Sequence, residues 1–256
     1  MTERISGNGL RLTNTFMTDT LVVIPYCQEG KQGRELEYAI AGWRKHFKED
    51  CTIVLVGDFE PWADVYLPCP KIEHPDDGNY LPHLDHVHKF LEVLKLFPHD
   101  GFIYACDDMY AVRNFTLDDV KALKYLEDDM YGSLMDPNAW NRDEAKTRNL
   151  CVQNGLETRN FVCHLPVYYD RNKLLAIYKE FDCEHNSCVV EDVYFNKYYA
   201  GIPAKHADEF RLGLNSEDVP EETIRAAIGN KIWITNSPLG WSKTLDKVLN
   251  EHYYGK

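Results

Sequence analysis

Two adjacent acids, Asp107 and Asp108, are the residues of this sequence best placed to do chemistry. They follow a run suited to a buried strand, residues 102–105, and apolar and aromatic residues resume directly after them. Ligands of open α/β sheets bind outside the carboxyl ends of the strands, so this run delivers two carboxylates to that edge. Neighbouring carboxylates repel each other unless a cation lies between them. Mg²⁺ or Mn²⁺ bridging to a substrate phosphate is the natural occupant.

Two acidic pairs of interest, at 107–108 and 191–192, also have an ordinary structural explanation. Taken alone, Asp107 and Asp108 are more simply explained as a turn or a helix cap. A later pair, Glu191 and Asp192, opens an expected helix, where the helix dipole favours acids in any protein. The elements around the two pairs therefore determine whether a structural or a catalytic role is the better explanation.

Composition narrows the classes of partner. The chain has 256 residues, of which 44% are hydrophobic, enough for one well-buried core. Its formal net charge of −13 disfavours nucleic acid or an anionic membrane as the main partner. The eight cysteines include no Cys-x-x-Cys pair, so a zinc site is not expected. We expect the cysteines to be reduced thiols. No apolar run approaches the ~20 residues of a membrane span, so we expect a cytoplasmic protein without an integral membrane segment.

The elements at the start of the chain predict a parallel sheet. Residues 21–26 and 52–57 are apolar runs typical of buried strands, and residues 34–47 between them have helical spacing. Strand, helix and strand in this order imply a right-handed crossover. Asp58 at the tip of the second strand either accepts hydrogen bonds from a nucleotide ribose or base or is a turn residue. The loop after the first strand is neither a Walker loop nor a dinucleotide fingerprint.

A second helix, predicted over residues 83–97, carries positive groups near its start. Solvated or structural histidines are the first explanation for His86 and His88, and zinc is the last, because His83, His86 and His88 do not share one helix face. The second explanation is a diphosphate contact made by the histidines, Lys89 and the helix N-terminus.

The later chain contains shorter signals. Thr116 and Asp119 resemble a capping box that opens a helix through residue 126. We expect strands at residues 131–135, 160–166 and 202–210, a mobile loop or acceptor-side lid at 136–155, and helices that begin at Asp170, near residue 190, at Pro220 and at 237–238. Residues 1–19 are expected to be a loose arm, and residues 60–80 to be irregular.

The order of these elements resembles a metal-dependent glycosyltransferase of the GT-A type. That family has an N-terminal nucleotide-binding α/β half, an Asp-x-Asp-like motif at a strand end, and a later acid opening a helix on the acceptor side. The matching positions are residues 21–26, 57–58, 107–108 and 191–192. The resemblance implies one α/β domain over residues 1–256 with a mostly parallel central sheet flanked by helices. Residues of about 20–130 would bind nucleotide and metal, and about 131–256 would face the acceptor.

A closer resemblance is to the Stealth-type sugar-phosphate transferases and their bacterial and phage relatives. Residues 35–40 match a block of the form Glu-Leu-x-Tyr-x-(Leu/Ile), and a Pro-Trp follows at 61–62. Residues 102–109 match Phe-Ile-Tyr-x-Asn-Asp-Asp-Met, with Cys106 in place of the Asn, and 164–166 match a later His-x-Pro. The first strand lacks the Trp-Val-Asp-Gly of the Stealth opening. This departure leaves open whether a sugar or a sugar phosphate is transferred.

The resemblance implies roles for particular residues. Asp107 and Asp108, with His206 as a third ligand or merely a structural histidine, would hold Mn²⁺ or Mg²⁺ on the diphosphate of a nucleotide sugar. Asp192, beside Glu191, would take the acceptor proton or only orient the acceptor. The remaining candidates are donor-binding Pro25, Tyr26, Asp58 and Lys89, substrate-binding His164, and possible sugar-stacking surfaces at Trp62, Tyr80, Trp140 and Tyr168.

The expected activity is sugar transfer from a uridine diphosphate sugar to a glycan or another hydroxyl acceptor, in the assembly of a surface or phage-related polysaccharide. A sugar-1-phosphate transferase is the alternative enzyme, because it would use the same metal site. A carbohydrate-binding or scaffold protein on the same fold is the alternative from another class. It predicts no metal-dependent turnover.

Overall fold

The structure is a computed structural model that describes residues 18, 20–73 and 81–255. The expected arm therefore lies almost entirely outside the described residues, as does Tyr80. The strands are β1 Thr20–Tyr26, β2 Cys51–Gly57, β3 Val65–Pro68, β4 Gly101–Tyr104, β5 Met109–Ala111, β6 Lys124–Tyr125, β7 Val167–Asp170, β8 Lys205–His206, β9 Arg211–Leu214 and β10 Trp233–Asn236. The α-helices are α1 Glu35–His46, α2 Pro82–Leu96, α3 Leu117–Lys121, α4 Ala139–Gln153, α5 Arg171–Glu180, α6 Val190–Tyr198, α7 Glu221–Asn230 and α8 Lys243–Tyr254.

A mixed five-stranded sheet forms the centre of the molecule, in the order β3-β2-β1-β4-β7. The first four strands are parallel, and only β7 runs antiparallel to its neighbour. Because side chains alternate along a strand, Val22 and Ile24 pack on α1, and Leu21 and Val23 face the opposite layer, which contains α2, α5 and α6. The fold is therefore α/β, with a mostly parallel central sheet flanked by helices, as the apolar runs predict.

A second sheet, β5-β10-β9, joins the end of the chain to its middle. Strand β5 begins one residue after the acidic pair and lies antiparallel to β10, with Tyr110 opposite Ile234. The backbone N–H of Asn236 donates to the Asp108 carbonyl at 3.3 Å. The acidic pair is thus held between β4 on one side and the last strand of the chain on the other.

The prediction of a mobile loop at residues 136–155 is wrong, because most of this segment forms α4. Asn138 caps this helix by accepting a hydrogen bond from the Trp140 N–H. Half of its buried side chains are polar: Asp143 accepts from the Ser187 hydroxyl, and Thr147 Oγ1 accepts from the Val189 N–H at 2.8 Å. A helix whose buried face contains polar residues shows little apolar periodicity, so the sequence pattern resembled a loop.

Several other expectations are corrected. Residues 131–135 form no strand, and in the expected strand 160–166 only Asn160 makes an isolated bridge, because His164 has a left-handed φ of 49° that ends any extended run. The helix that opens with the confirmed Thr116 capping box ends at Lys121, short of residue 126. The expected strand 202–210 shrinks to β8 followed by a short 3₁₀ helix, and β3 interrupts the region expected to be irregular.

Gly57 ends β2 in a conformation that only glycine adopts easily. Its φ is +130°, and a Cβ there would lie 2.0 Å from the carbonyl oxygen of Tyr26. We expect Gly57→Ala to lower the free energy of unfolding by about 3 kcal/mol, from backbone strain and this clash. Gly229→Ala, inside α7 with nothing nearby, is the matched control and should be neutral or stabilising by about 0.5–1 kcal/mol. Chemical denaturation measures both, and equal effects would contradict the assignment.

Candidate active site

Two neighbouring cavities lie at the carboxyl end of the central sheet. We call the first, of about 220 Å³, the strand-end cleft and the second, of about 110 Å³, the inner chamber. His86 and Cys106 line both, so the two cavities adjoin. The cleft is further lined by Pro25, Tyr26, Cys27, Gly30, Gln32, Glu35, Lys89, Asp107, Asp108 and Pro238. The chamber is further lined by His83, Val87, Phe90, Tyr104, Met109, Trp140, Val162, His164, Tyr169, Val189, Val190 and Glu191.

The position of the cleft follows from the strand order. Strand β1 lies between β2 and β4, so the chain after β1 turns one way and the chain after β4 turns the other. A crevice opens at such a topological switch point, outside the carboxyl ends of the strands. Pro25 and Tyr26 end β1, and Asp107 and Asp108 follow β4, so the structure brings these four predicted residues together.

Burial and mutual repulsion dominate the electrostatics of the acidic pair. Burial and the charge of Asp108 raise the pKa of Asp107 from 3.8 to about 7. Burial and the charge of Glu35 raise the pKa of Asp108 equally, to about 7. Within the described part of the chain, Asp108 Oδ1 is buried and has no hydrogen-bond partner. An unpartnered carboxylate oxygen beside a second carboxylate is suited to a divalent cation.

Glu35 is a third carboxyl group in the cleft, and it is not among the residues predicted from the sequence. One of its oxygens accepts from the Asn236 side chain at 2.8 Å, and the other accepts from the Gln32 N–H at 2.8 Å. Burial raises its pKa to about 7 despite these hydrogen bonds. Its presence in the matched block 35–40 was the available signal, but only the fold shows that the first turn of α1 faces Asp107 and Asp108.

Two basic side chains lower the pKa values of the acidic pair. The ammonium of Lys89 lines the cleft and lowers the pKa of Asp107, although it already pairs with Asp85 at 2.7 Å in a nearly dry environment. The guanidinium of Arg211, from β9, lowers the pKa of Asp108. Arg211 was not predicted, because nothing in its local sequence indicates that β9 returns to this side of the molecule.

The inner chamber contains a buried acid and a neutral histidine. Burial and the neighbouring Asp192 raise the pKa of Glu191 well above its usual range, and its Oε1 has no hydrogen-bond partner among the described residues. Burial and Arg211 lower the pKa of His164 to about 4, so its imidazole is neutral at pH 7. His164 Nδ1 lies 3.8 Å from Asp108 Oδ2, which places this histidine between the two cavities.

Of the other predicted residues, some lie at the two cavities and some lie elsewhere. Trp140 lines the chamber and packs on His83, with ring centroids 4.1 Å apart. Asp58 lies beside the cleft without lining it, since its side chain accepts from the Gln28 N–H at 2.7 Å. Trp62 stacks under the Lys31 ammonium outside both cavities, and Tyr168 lines a different cavity.

Asp192 and His206 do not lie in the site expected for them. Asp192 is fully buried behind the chamber, where one of its oxygens accepts from the Phe161 N–H at 2.6 Å. This is an anchoring role for a segment without regular structure, and Glu191 is the acid that faces the cavity. His206 lines neither cavity; it packs edge-on against Tyr125 in the small β6-β8 sheet.

The acidic pair fits a cation that shares its ligands with a substrate. No group of three or more His, Cys, Asp or Glu side chains in the described ranges is arranged to hold a metal ion. Mg²⁺ commonly takes one or two carboxylates from the protein and completes its shell with substrate phosphates and water. Asp107 and Asp108 provide that smaller set, facing an open cleft.

Comparison with known proteins adds no family assignment. No protein-family model matches this sequence, and a search of curated proteins likewise found no match. Over the ranges that the structure describes, none of the helices is long and apolar enough to cross a membrane.

The raised pKa of Asp108 makes a prediction about stability and pH. Between pH ~4 and ~7 the folded protein keeps protons that the unfolded chain releases, so these carboxyl groups reduce the free energy of unfolding as pH rises through that window. We expect Asp108→Asn to stabilise the protein by about 1–2 kcal/mol at pH 8 and by much less at pH 5. Glu217→Gln in an exposed loop should show no such pH-dependent gain in chemical denaturation. A loss of stability at pH 8 in Asp108→Asn would contradict the repulsion.

Proposed function

We propose that this protein is a metal-dependent glycosyltransferase that moves a sugar from a nucleotide diphosphate sugar, expected to be uridine-linked, to a hydroxyl group of a glycan. The observation that carries the proposal is the pair Asp107 and Asp108, which faces a cleft at the topological switch point and adjoins a chamber containing Glu191. A donor diphosphate in the cleft would project its sugar into the chamber. The GT-A type of fold is part of this proposal, supported by the α/β architecture and the order of the acidic elements.

Each residue has a defined task in the proposed reaction. Asp107 and Asp108 would hold Mg²⁺ or Mn²⁺, which when bound neutralises negative charge on the leaving diphosphate. Lys89 adds a positive charge at the floor of the cleft. Ionised Glu191, a stronger base because burial raises its pKa, accepts the proton of the acceptor hydroxyl, and neutral His164 orients groups at the boundary between cleft and chamber.

Donor binding can be tested without knowing the sugar. Uridine diphosphate with Mn²⁺, at a hundred times its dissociation constant, should stabilise the folded protein by about 2.7 kcal/mol. The effect should require both components and disappear in Asp107→Asn/Asp108→Asn. Thermal unfolding with uridine, guanosine and cytidine diphosphates measures it. No stabilisation with any of the three would favour a non-catalytic carbohydrate-binding protein.

Separate substitutions of Glu191 and Asp192 distinguish a catalytic role from a structural one. We expect Glu191→Gln to lower kcat by about 10²–10⁴-fold with the donor KM nearly unchanged and no loss of stability, because the proton acceptor is lost and a buried carboxyl group of raised pKa is replaced by an amide. Asp192→Ala, by contrast, should lower the free energy of unfolding by about 1–3 kcal/mol, because the Phe161 N–H loses its partner. Release of nucleoside diphosphate from a panel of nucleotide sugars measures turnover. Full turnover in Glu191→Gln would remove it from the mechanism.

Sugar-1-phosphate transfer is the second candidate, and the position of His164 favours it. An imidazole that is neutral at pH 7 and lies 3.8 Å from Asp108 is close enough to contact a transferred phosphoryl group. The two reactions differ in their products, because sugar transfer releases a nucleoside diphosphate and sugar-phosphate transfer releases a nucleoside monophosphate. Separation of the two nucleotides by chromatography distinguishes them.

A further inference from the structure

A third cavity, of about 350 Å³, lies behind the inner chamber, and we call it the basic cavity. Residues 162–165 separate the two: Val162 and His164 line the chamber, whereas Cys163 and Leu165 line the basic cavity. Phe195, one turn of α6 beyond Glu191, also faces it. The basic cavity is therefore distinct from the proposed active site but shares a wall with it.

Three lysines and one acid line the basic cavity, in a chain whose net charge is −13. The acid, Asp170, is engaged as the N-cap of α5, where it accepts from the Lys173 N–H at 2.9 Å. Lys124 is almost fully buried, and its ammonium donates to three backbone carbonyls. Its charge contributes to the field in the cavity, although its protons are already used.

The other two lysines keep their protons available. The Lys121 ammonium lies 4.5 Å from the ring centroid of Tyr168, and the Lys173 ammonium lies 4.8 Å from that of Tyr199. In the described part of the chain, neither ammonium has a carboxylate within 4.0 Å, whereas Lys31 and Lys197 each pair with a glutamate, at 3.0 and 2.5 Å. Two cations held over aromatic rings without a counter-ion favour an anionic ligand.

The rings add a second element of recognition. Tyr168 and Tyr199 are half-buried and line the basic cavity beside the ammonium groups. An aromatic ring offers an apolar surface to the face of a sugar, while an ammonium binds a carboxylate or phosphate as a point charge. The size of the cavity falls within the usual range for small-ligand sites.

We propose that the basic cavity binds a sugar residue bearing an anionic group, with Lys121 and Lys173 contacting the anion and Tyr168 and Tyr199 contacting the sugar. The site does not depend on the proposed transferase activity, because none of these four residues lines the cleft or the chamber. A ligand there would lie against residues 162–165, which also carry His164.

Titrations with small sugars test this site directly. Calorimetry or NMR would use glucuronate and glucose 6-phosphate, which carry the two kinds of anion, with glucose and inorganic phosphate as the matched partial ligands. We expect at least one sugar anion to bind more tightly than both partial ligands. Lys121→Met and Lys173→Met, which keep the alkyl chain over the ring, should each weaken binding about tenfold.

Lys179→Met is the control, because Lys179 is an exposed lysine on α5 that does not line the basic cavity. It should bind the sugar anion as the unaltered protein does. If glucuronate and glucose 6-phosphate both fail to bind up to about 10 mM, or if Lys179→Met weakens binding as much as the cavity variants, the proposal is overturned. Should a methionine variant unfold, Lys121→Gln and Lys173→Gln provide the same comparison.

Discussion

Burial of three mutually repelling carboxyl groups in the strand-end cleft is the constraint on which the rest of the site depends. Glu35 comes from α1, whereas Asp107 and Asp108 share the connection between β4 and β5, and all three have raised pKa values of about 7. The two nearby cations offset this only in part, because Lys89 is already paired with Asp85. A protein keeps such an arrangement at a cost in stability, which is common where a site must bind a cation or a charged substrate.

The surrounding structure fixes these groups in place rather than neutralising them. Asn236 links α1 to β5 beside the cleft, since its amide donates to Glu35 and its carbonyl accepts from the Tyr110 hydroxyl at 2.5 Å. On the chamber side, Asp192 anchors residue 161 and so helps to position His164 three residues later. Rigid supports of this kind hold charged side chains in one geometry before a ligand arrives.

The sequence predicts the three inner strands of the central sheet and the acidic pair that follows one of them, because both depend on local signals. It does not predict the edge strands β3 and β7. Uninterrupted apolar runs identify β1, β2 and β4, and the two acids directly follow one of them. Helix α4 was missed, since the side chains it buries include Asp143 and Thr147, which satisfy their hydrogen bonds through residues far away in sequence. Choosing Glu191 over Asp192 needs the rotation of α6 about its own axis, which adjacent residues in a sequence do not reveal.

The joining of β5 to β10 has a consequence for how the molecule is made. Synthesis on the ribosome proceeds from the N-terminus, so β1, β2 and β4 can pair long before residue 236 exists. Until β10 emerges, Glu35 lacks its amide partner and the Asp108 carbonyl lacks the N–H of Asn236. A nascent chain that has not yet reached residue 236 therefore carries the three acids without the strand that completes the cleft wall.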